Sequence, residues 1–99
     1  MRLSEFEQKI IKQTAGQFFG EEAKVYLFGS RVNDSLRGGD IDIYIETNNS
    51  IENLLDRKLH FLVELEKEIG EQKIDVVIND RPGSKKLVYE IALTNGILL

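Results

Sequence analysis

The sequence has no cysteine and no tryptophan, a single histidine and a single proline, and no run of apolar residues approaching a membrane span. Without cysteine there are no disulfides and no thiolate zinc sites. His60 is the only imidazole, which excludes His-rich metal sites and leaves a Ser-His-Asp triad only one possible base. The lack of a long apolar run excludes a membrane-spanning helix. The charged opening, MRLSEFEQKIIKQ, does not read as a signal peptide, so the cytoplasm is the expected location. Positive charge is also short: 17 acidic residues stand against 13 Lys and Arg, for a net charge of −4. That balance argues against coating nucleic acid through bulk charge and against binding a membrane surface. The eight glycines form no linker, and there is no repeat or low-complexity run, so residues 1–99 are expected to form one domain. A fold of this size buries only about 60–65% of the surface its unfolded chain exposes, which leaves little stability to spare.

What is present is a regular alternation of patterns. Leu3, Phe6, Ile10, Ile11, Thr14 and Phe18 recur at helical spacing, predicting a helix over residues 4–19 that opens with a Ser4/Glu7 capping box and stops at Gly20. Residues 24–28, KVYLF, read as a strand that ends at Gly29-Ser30, and residues 29–38 as a short helical turn with a loop. Residues 40–46, DIDIYIE, alternate strictly and predict a second strand, after which Asn48-Asn49-Ser50 offers a helix cap. A second long helix is expected over 51–69, with Ile51, Leu54, Leu55, Leu59, Leu62, Leu65 and Ile69 in one apolar stripe and Gly70 closing it. Residues 73–78 read as a third strand, 79–83 as a turn, 84–94 as a last helix, and Ile97-Leu98-Leu99 as a short edge strand or part of an interface. The expected fold is therefore α/β, an α+β two-layer sandwich with a small mixed sheet of three to four strands and helices packed on it.

Three features carry chemistry. Asp40 and Asp42 stand at i and i+2 of a strand, so both carboxylates project from one face while Ile41, Ile43 and Ile45 pack the other. Asp is depleted in strands, and two on one face need a reason; taken alone, a solvated face or a charge-guarded edge supplies one. Asp75 sits in an otherwise apolar strand, where it either pairs with a Lys or Arg from elsewhere or faces the same side as Asp40 and Asp42. Converging carboxylates repel unless divalent cations lie between them, and hard oxygen ligands of this kind suit Mg²⁺ or Mn²⁺. Phe28-Gly29-Ser30-Arg31 takes a strand directly into a short helix: a turn and no more, or a place where glycine, a hydroxyl and a guanidinium meet an anion.

Taken together, Gly29-Ser30, the Asp40-x-Asp42 pair after nine intervening residues and a lone Asp75 in the next strand resemble the DNA polymerase β-type nucleotidyltransferase superfamily. The run Phe28-Gly-Ser-Arg31 with Gly39-Asp-Ile-Asp-Ile43 is similar to its smallest branch, the minimal nucleotidyltransferases encoded beside HEPN-domain proteins. The resemblance covers nearly the whole chain and departs from it at Gly39, where many members have Ser. It implies that Asp40, Asp42 and Asp75 are the catalytic, metal-binding carboxylates for two Mg²⁺ ions. It implies that Gly29 and Ser30, with Arg31 as a further contact, hold the triphosphate of ATP. Larger relatives carry another domain for the acceptor, so here a partner is expected to bring it. The resemblance implies a HEPN toxin RNase that is adenylylated on a tyrosine, making this chain an antitoxin. The alternatives are a non-catalytic antitoxin acting by complex formation and a small-molecule nucleotidyltransferase.

Other polar residues have plainer readings. His60 lies opposite the leucine stripe and is expected at the surface, and Lys58 lays its stem over apolar side chains. Arg81, Lys85 and Lys86 are weaker candidates for phosphate contact than Arg31, a solvated charge cluster being their commoner explanation. Tyr44 shares the face of Asp40 and Asp42, where a packed sheet position is the commoner role than stacking on a base.

Overall fold

The computed structural model describes residues 4–28, 41–47, 52–70, 73–80 and 87–99. The first helix, α1 (Glu5–Phe19), begins where the sequence expects it. Ser4 Oγ accepts a hydrogen bond from the Glu7 backbone N–H at 3.1 Å, and the Glu7 carboxylate accepts one from the Ser4 backbone N–H at 3.2 Å. The reciprocal pair satisfies donors that the first turn leaves without helical partners. At the other end Gly20 takes φ +101°, a backbone state that a side chain disfavours, and turns the chain toward the sheet.

Four strands follow the order β3-β2-β1-β4. β1 (Lys24–Phe28) pairs antiparallel with β2 (Ile41–Glu46) and with β4 (Ile97–Leu98), whereas β3 (Ile74–Asn79) pairs parallel with β2. The sheet is mixed because β2 and β3 are joined by a crossover helix, α2 (Leu54–Ile69), while β1 and β4 meet their neighbour head to tail. The last helix, α3 (Leu87–Asn95), precedes the edge strand β4. No helix among the described residues is long and apolar enough to cross a membrane.

Alternation in β2 divides the sheet into two faces. Ile41, Ile43 and Ile45 are buried with Val25, Leu27 and Val76 beneath α1 and α2, whose Ile11, Ala15, Phe19, Phe61 and Leu65 complete the main core. Phe19 meets Phe61 edge-on, with ring centroids 5.3 Å apart. Tyr44 points to the opposite face and is buried with Tyr89 and Ala92 of α3, bordered by Tyr26, Phe28 and Val77. Two helices therefore cover one face of the sheet and the third covers the middle of the other.

The helical stripes differ from expectation in detail. In α2, Leu54, Leu62, Leu65 and Ile69 pack inward as expected, but Leu55 and Leu59 stand 68% and 52% exposed and Phe61 takes the central buried place. A leucine-rich helix offers two adjoining apolar stripes, and the aromatic ring opposite Phe19 decides which one faces in. The helix also starts at Leu54 and not at 51: Asn53 adopts the left-handed conformation at φ +55°, which ends the helical run there without a side-chain cap bond. Ile51 and the 48–50 cap lie outside the described residues. In α1 the packed stretch starts at Ile10; Phe6, one turn earlier, is 58% exposed. Gly96 is held to the close approach of α3 and β1, since a Cβ there would lie 2.2 Å from the Ala92 carbonyl oxygen.

Candidate functional site

The strand register assembles the site from three separate pieces of sequence. Asp42, the second residue of β2, has Phe28 of β1 on one side and Asp75 of β3 on the other. Register partners project from the same side of a sheet, and adjacent strands lie about 4.8 Å apart. The face opposite the main core thus carries a row Phe28–Asp42–Asp75, then Tyr26–Tyr44–Val77, then Lys24–Glu46–Asn79. α3 covers the middle row. Asp42 is half-buried at its edge, and Asp75, on the outermost described strand, is exposed.

The expectation that Asp75 could share the side of Asp42 is thus met by the register. Asp40, Gly29, Ser30 and Arg31 lie outside the described residues, as do Arg81, Lys85 and Lys86. The topology nevertheless fixes where the described part of β1 ends: at Phe28, beside Asp42 in the carboxylate row. Tyr44 is a packed sheet residue, as read from the sequence. His60 is exposed and its ring stacks on Phe18 at 6.5 Å, while Lys58 is half-buried.

Behind the carboxylates lies a polar network that the sequence reading did not anticipate. The Tyr44 hydroxyl donates to the Glu46 carboxylate at 3.0 Å and accepts from Asn79 Nδ2 at 3.2 Å. The Tyr89 hydroxyl donates to the Ile78 carbonyl at 3.5 Å. Tyr44 stacks at a tilt against both Tyr26 and Tyr89, with centroids 5.7 and 5.5 Å away. Burial pushes the Tyr44 phenol up to about 12; the Asn79 bond pulls it partly back, and the Glu46 carboxylate pushes it further. One signal pointed here, since Glu46 falls two residues beyond Tyr44 on one face; Asn79, expected in the turn after the third strand, is instead the last residue of β3.

The residues present fit a divalent cation. Like charges side by side on neighbouring strands repel, and a doubly charged ion shared by two carboxylates reverses the sign of that interaction. The donors are hard oxygens, the class that Mg²⁺ and Mn²⁺ prefer. Among the described residues no three acidic or His side chains cluster; by sequence the third acid is Asp40. A separate cavity of about 610 Å³ lies along α1, lined by Lys9, Lys12, Gln13 and Gln17 among others, and the carboxylate row does not line it.

A mixed four-stranded sheet with three helices is consistent with a nucleotidyltransferase core. The family model described as polymerase beta, nucleotidyltransferase matches residues 8–99, and the chain belongs to that family. No curated protein matches the chain. The family's enzymes generally use divalent metal ions and nucleoside triphosphates.

Proposed function

We propose that the chain is a minimal nucleotidyltransferase that moves AMP from ATP to a tyrosine of a HEPN-domain toxin RNase, and so acts as an antitoxin. The observation that carries the reading is the register of Asp42 with Asp75, beside the point where β1 gives way to Gly29-Ser30. Acids on two strands of one face, where the chain runs on from β1 into Gly29-Ser30, suit a nucleotide whose phosphates would be held by those two residues and whose reacting phosphorus would lie over the acids.

Asp40, Asp42 and Asp75 would hold Mg²⁺, or Mn²⁺ in its place. A bound ion would supply stabilisation of the charge on the transferring phosphoryl group. The chain's own part is positioning. Asp42 is set by the strand that Ile41 and Ile43 anchor in the core, and Asp75 by its place beside it. Gly29 and Ser30, with Arg31, would orient the triphosphate through N–H, hydroxyl and guanidinium donors. The tyrosine oxygen bonds to the α-phosphorus, the bond to the β-phosphate's bridging oxygen breaks, pyrophosphate leaves and the phenolic proton passes to solvent.

The test is the intact mass of a HEPN-domain protein encoded beside this chain, after incubation with it, ATP and Mg²⁺. Increments of one or more AMP units are expected with the wild type and none with Asp42→Asn/Asp75→Asn. A stable complex whose partner gains no mass would overturn the transferase reading in favour of a binding antitoxin. Increments that appear on a small molecule and never on the protein would move the acceptor to that class.

A further inference from the structure

The parallel seam between β2 and β3 has more than one register open to it. β3 is the outermost described strand and pairs with β2 alone, so this seam decides which residue stands beside Asp42. A slip of one residue would turn the apolar side of β3 away from the core. A slip of two keeps the faces. In one direction it brings Asp80 onto the core face against Ile45, where an acid is not tolerated. In the other it sets Ile43 against Ile74 and Ile45 against Val76, still aliphatic on aliphatic, and Asp42 against Lys73 in place of Asp75. The core face separates that register from the observed one only weakly. The exchange of an acid for a lysine opposite Asp42 favours the slip.

The opposite face supplies the discrimination. Tyr44 is fully buried and Asn79 is 4% exposed. The Tyr44 ring is held between Tyr26 and Tyr89, which fixes the place of its hydroxyl. There it accepts from Asn79 Nδ2 at 3.2 Å and donates to Glu46 of its own strand. The Glu46 bond survives any slide of β3; the Asn79 bond does not. A two-residue slide moves Asn79 about 6.6 Å along the seam and puts Val77 opposite Glu46 in its place. The buried hydroxyl then loses its donor, a loss that apolar packing does not make good. In the observed register no buried side-chain nitrogen or oxygen among the described residues lacks a partner. One buried polar pair fixes register in this way wherever two apolar faces would otherwise slide past each other.

We propose that Tyr44 and Asn79 are positioning residues: their hydrogen bond selects the β2–β3 register that sets Asp75 beside Asp42. They act through the strands, Asn79 standing four residues beyond Asp75 on β3. That the register matters to a cation rests on the transferase reading above; the selection of the register does not.

The test replaces the pair by apolar side chains, Tyr44→Phe/Asn79→Leu, in the full chain. Stability is expected to stay close to wild type, because both partners of the bond go together. Register is read by NMR from cross-strand backbone NOEs, which pair Ile43 with Val76 in the observed register and with Ile74 in the slipped one. Mn²⁺ affinity is read by EPR on the same samples. The wild type is expected to show the Ile43–Val76 pairing alone. The double variant is expected to show both pairings and to bind Mn²⁺ roughly threefold or more weakly, as the competent fraction falls. Ile45→Val trims packing across the same seam; it is expected to lower the urea midpoint and to change neither register nor Mn²⁺ affinity. A double variant that keeps the Ile43–Val76 pairing alone overturns the proposal, and so does an Ile45→Val variant that slips equally. If the double variant does not fold, Tyr44→Phe, which keeps the ring, is judged by the same pairings. A wild type that binds no Mn²⁺, with a double variant that still slips, removes the cation of the transferase reading and leaves the register selection standing. Equal Mn²⁺ binding by wild type and double variant, both in the observed register, removes the register selection alone.

Discussion

The two faces of β2 are built from alternate residues of one six-residue strand and obey different rules. On one side Ile41, Ile43 and Ile45 pack into an apolar core with residues of two helices. On the other, Asp42, Tyr44 and Glu46 face an acid, a tyrosine pair and an asparagine in turn. The first face stabilises by removing about 25 cal/mol of unfavourable hydration per Å² of apolar surface. The second spends its positions on groups whose burial is tolerable only because each finds a hydrogen-bond partner or stays near solvent. A strand can serve both ends because its period of two keeps them apart: the isoleucines hold the backbone still, and the backbone sets the carboxylate.

That division can be tested from either side. Truncating the helix-covered face with Phe61→Ala removes the ring that meets Phe19 and is expected to cost about 3–5 kcal/mol of folding stability. A urea midpoint almost unchanged from wild type would mean that α2 does not pack through Phe61. On the opposite face, Asp75→Asn is expected to lower AMP transfer by roughly 10²–10³-fold, the scale on which single charge-stabilising groups act. The same change leaves the midpoint where it was, because Asp75 is exposed at the edge of the sheet. A variant that unfolds early instead would make Asp75 a structural residue. The smallest effect sharpens the comparison most. Tyr44→Phe keeps the buried ring and deletes the hydroxyl between Glu46 and Asn79, at an expected cost of about 1 kcal/mol at neutral pH. The folded phenol titrates near 12, above the ordinary value of 10, so the fold favours the neutral form. Its contribution is complete below pH 10 and is lost as pH climbs toward 12. The wild type should therefore lose more stability than the Phe variant between those values, as read by paired denaturation curves.

Much of this architecture was legible in the sequence. The capping box and Gly20 bracket α1, and strict alternation marks β2, because both depend on groups within a few residues of one another. The likeness of Asp40-x-Asp42 and Asp75 to a known spacing gave the family, which the match over residues 8–99 bears out. What was not legible depends on neighbours distant in sequence. Periodicity alone cannot say that Phe61 and not Leu59 faces inward, since that depends on Phe19 across the helix pair. The buried Tyr44–Asn79 bond needs the parallel register of β2 and β3, which no local pattern specifies. The side of α3 that meets the sheet was equally hidden, for Tyr89 and Ala92 are chosen by Tyr44 rather than by their own helix.

The parallel pairing of β2 with β3 also governs when the site comes into being. Antiparallel neighbours can meet as soon as a short connection bends back, but these two strands have the whole of α2 between them. Closing such a long connection carries an entropic cost that must be met before any contact across it forms. Asp42 and Asp75 are therefore neighbours only once the crossover has closed. A chain whose crossover is open has no such pair of acids to offer, and the competence to bind a cation there would double as a report that the crossover has closed.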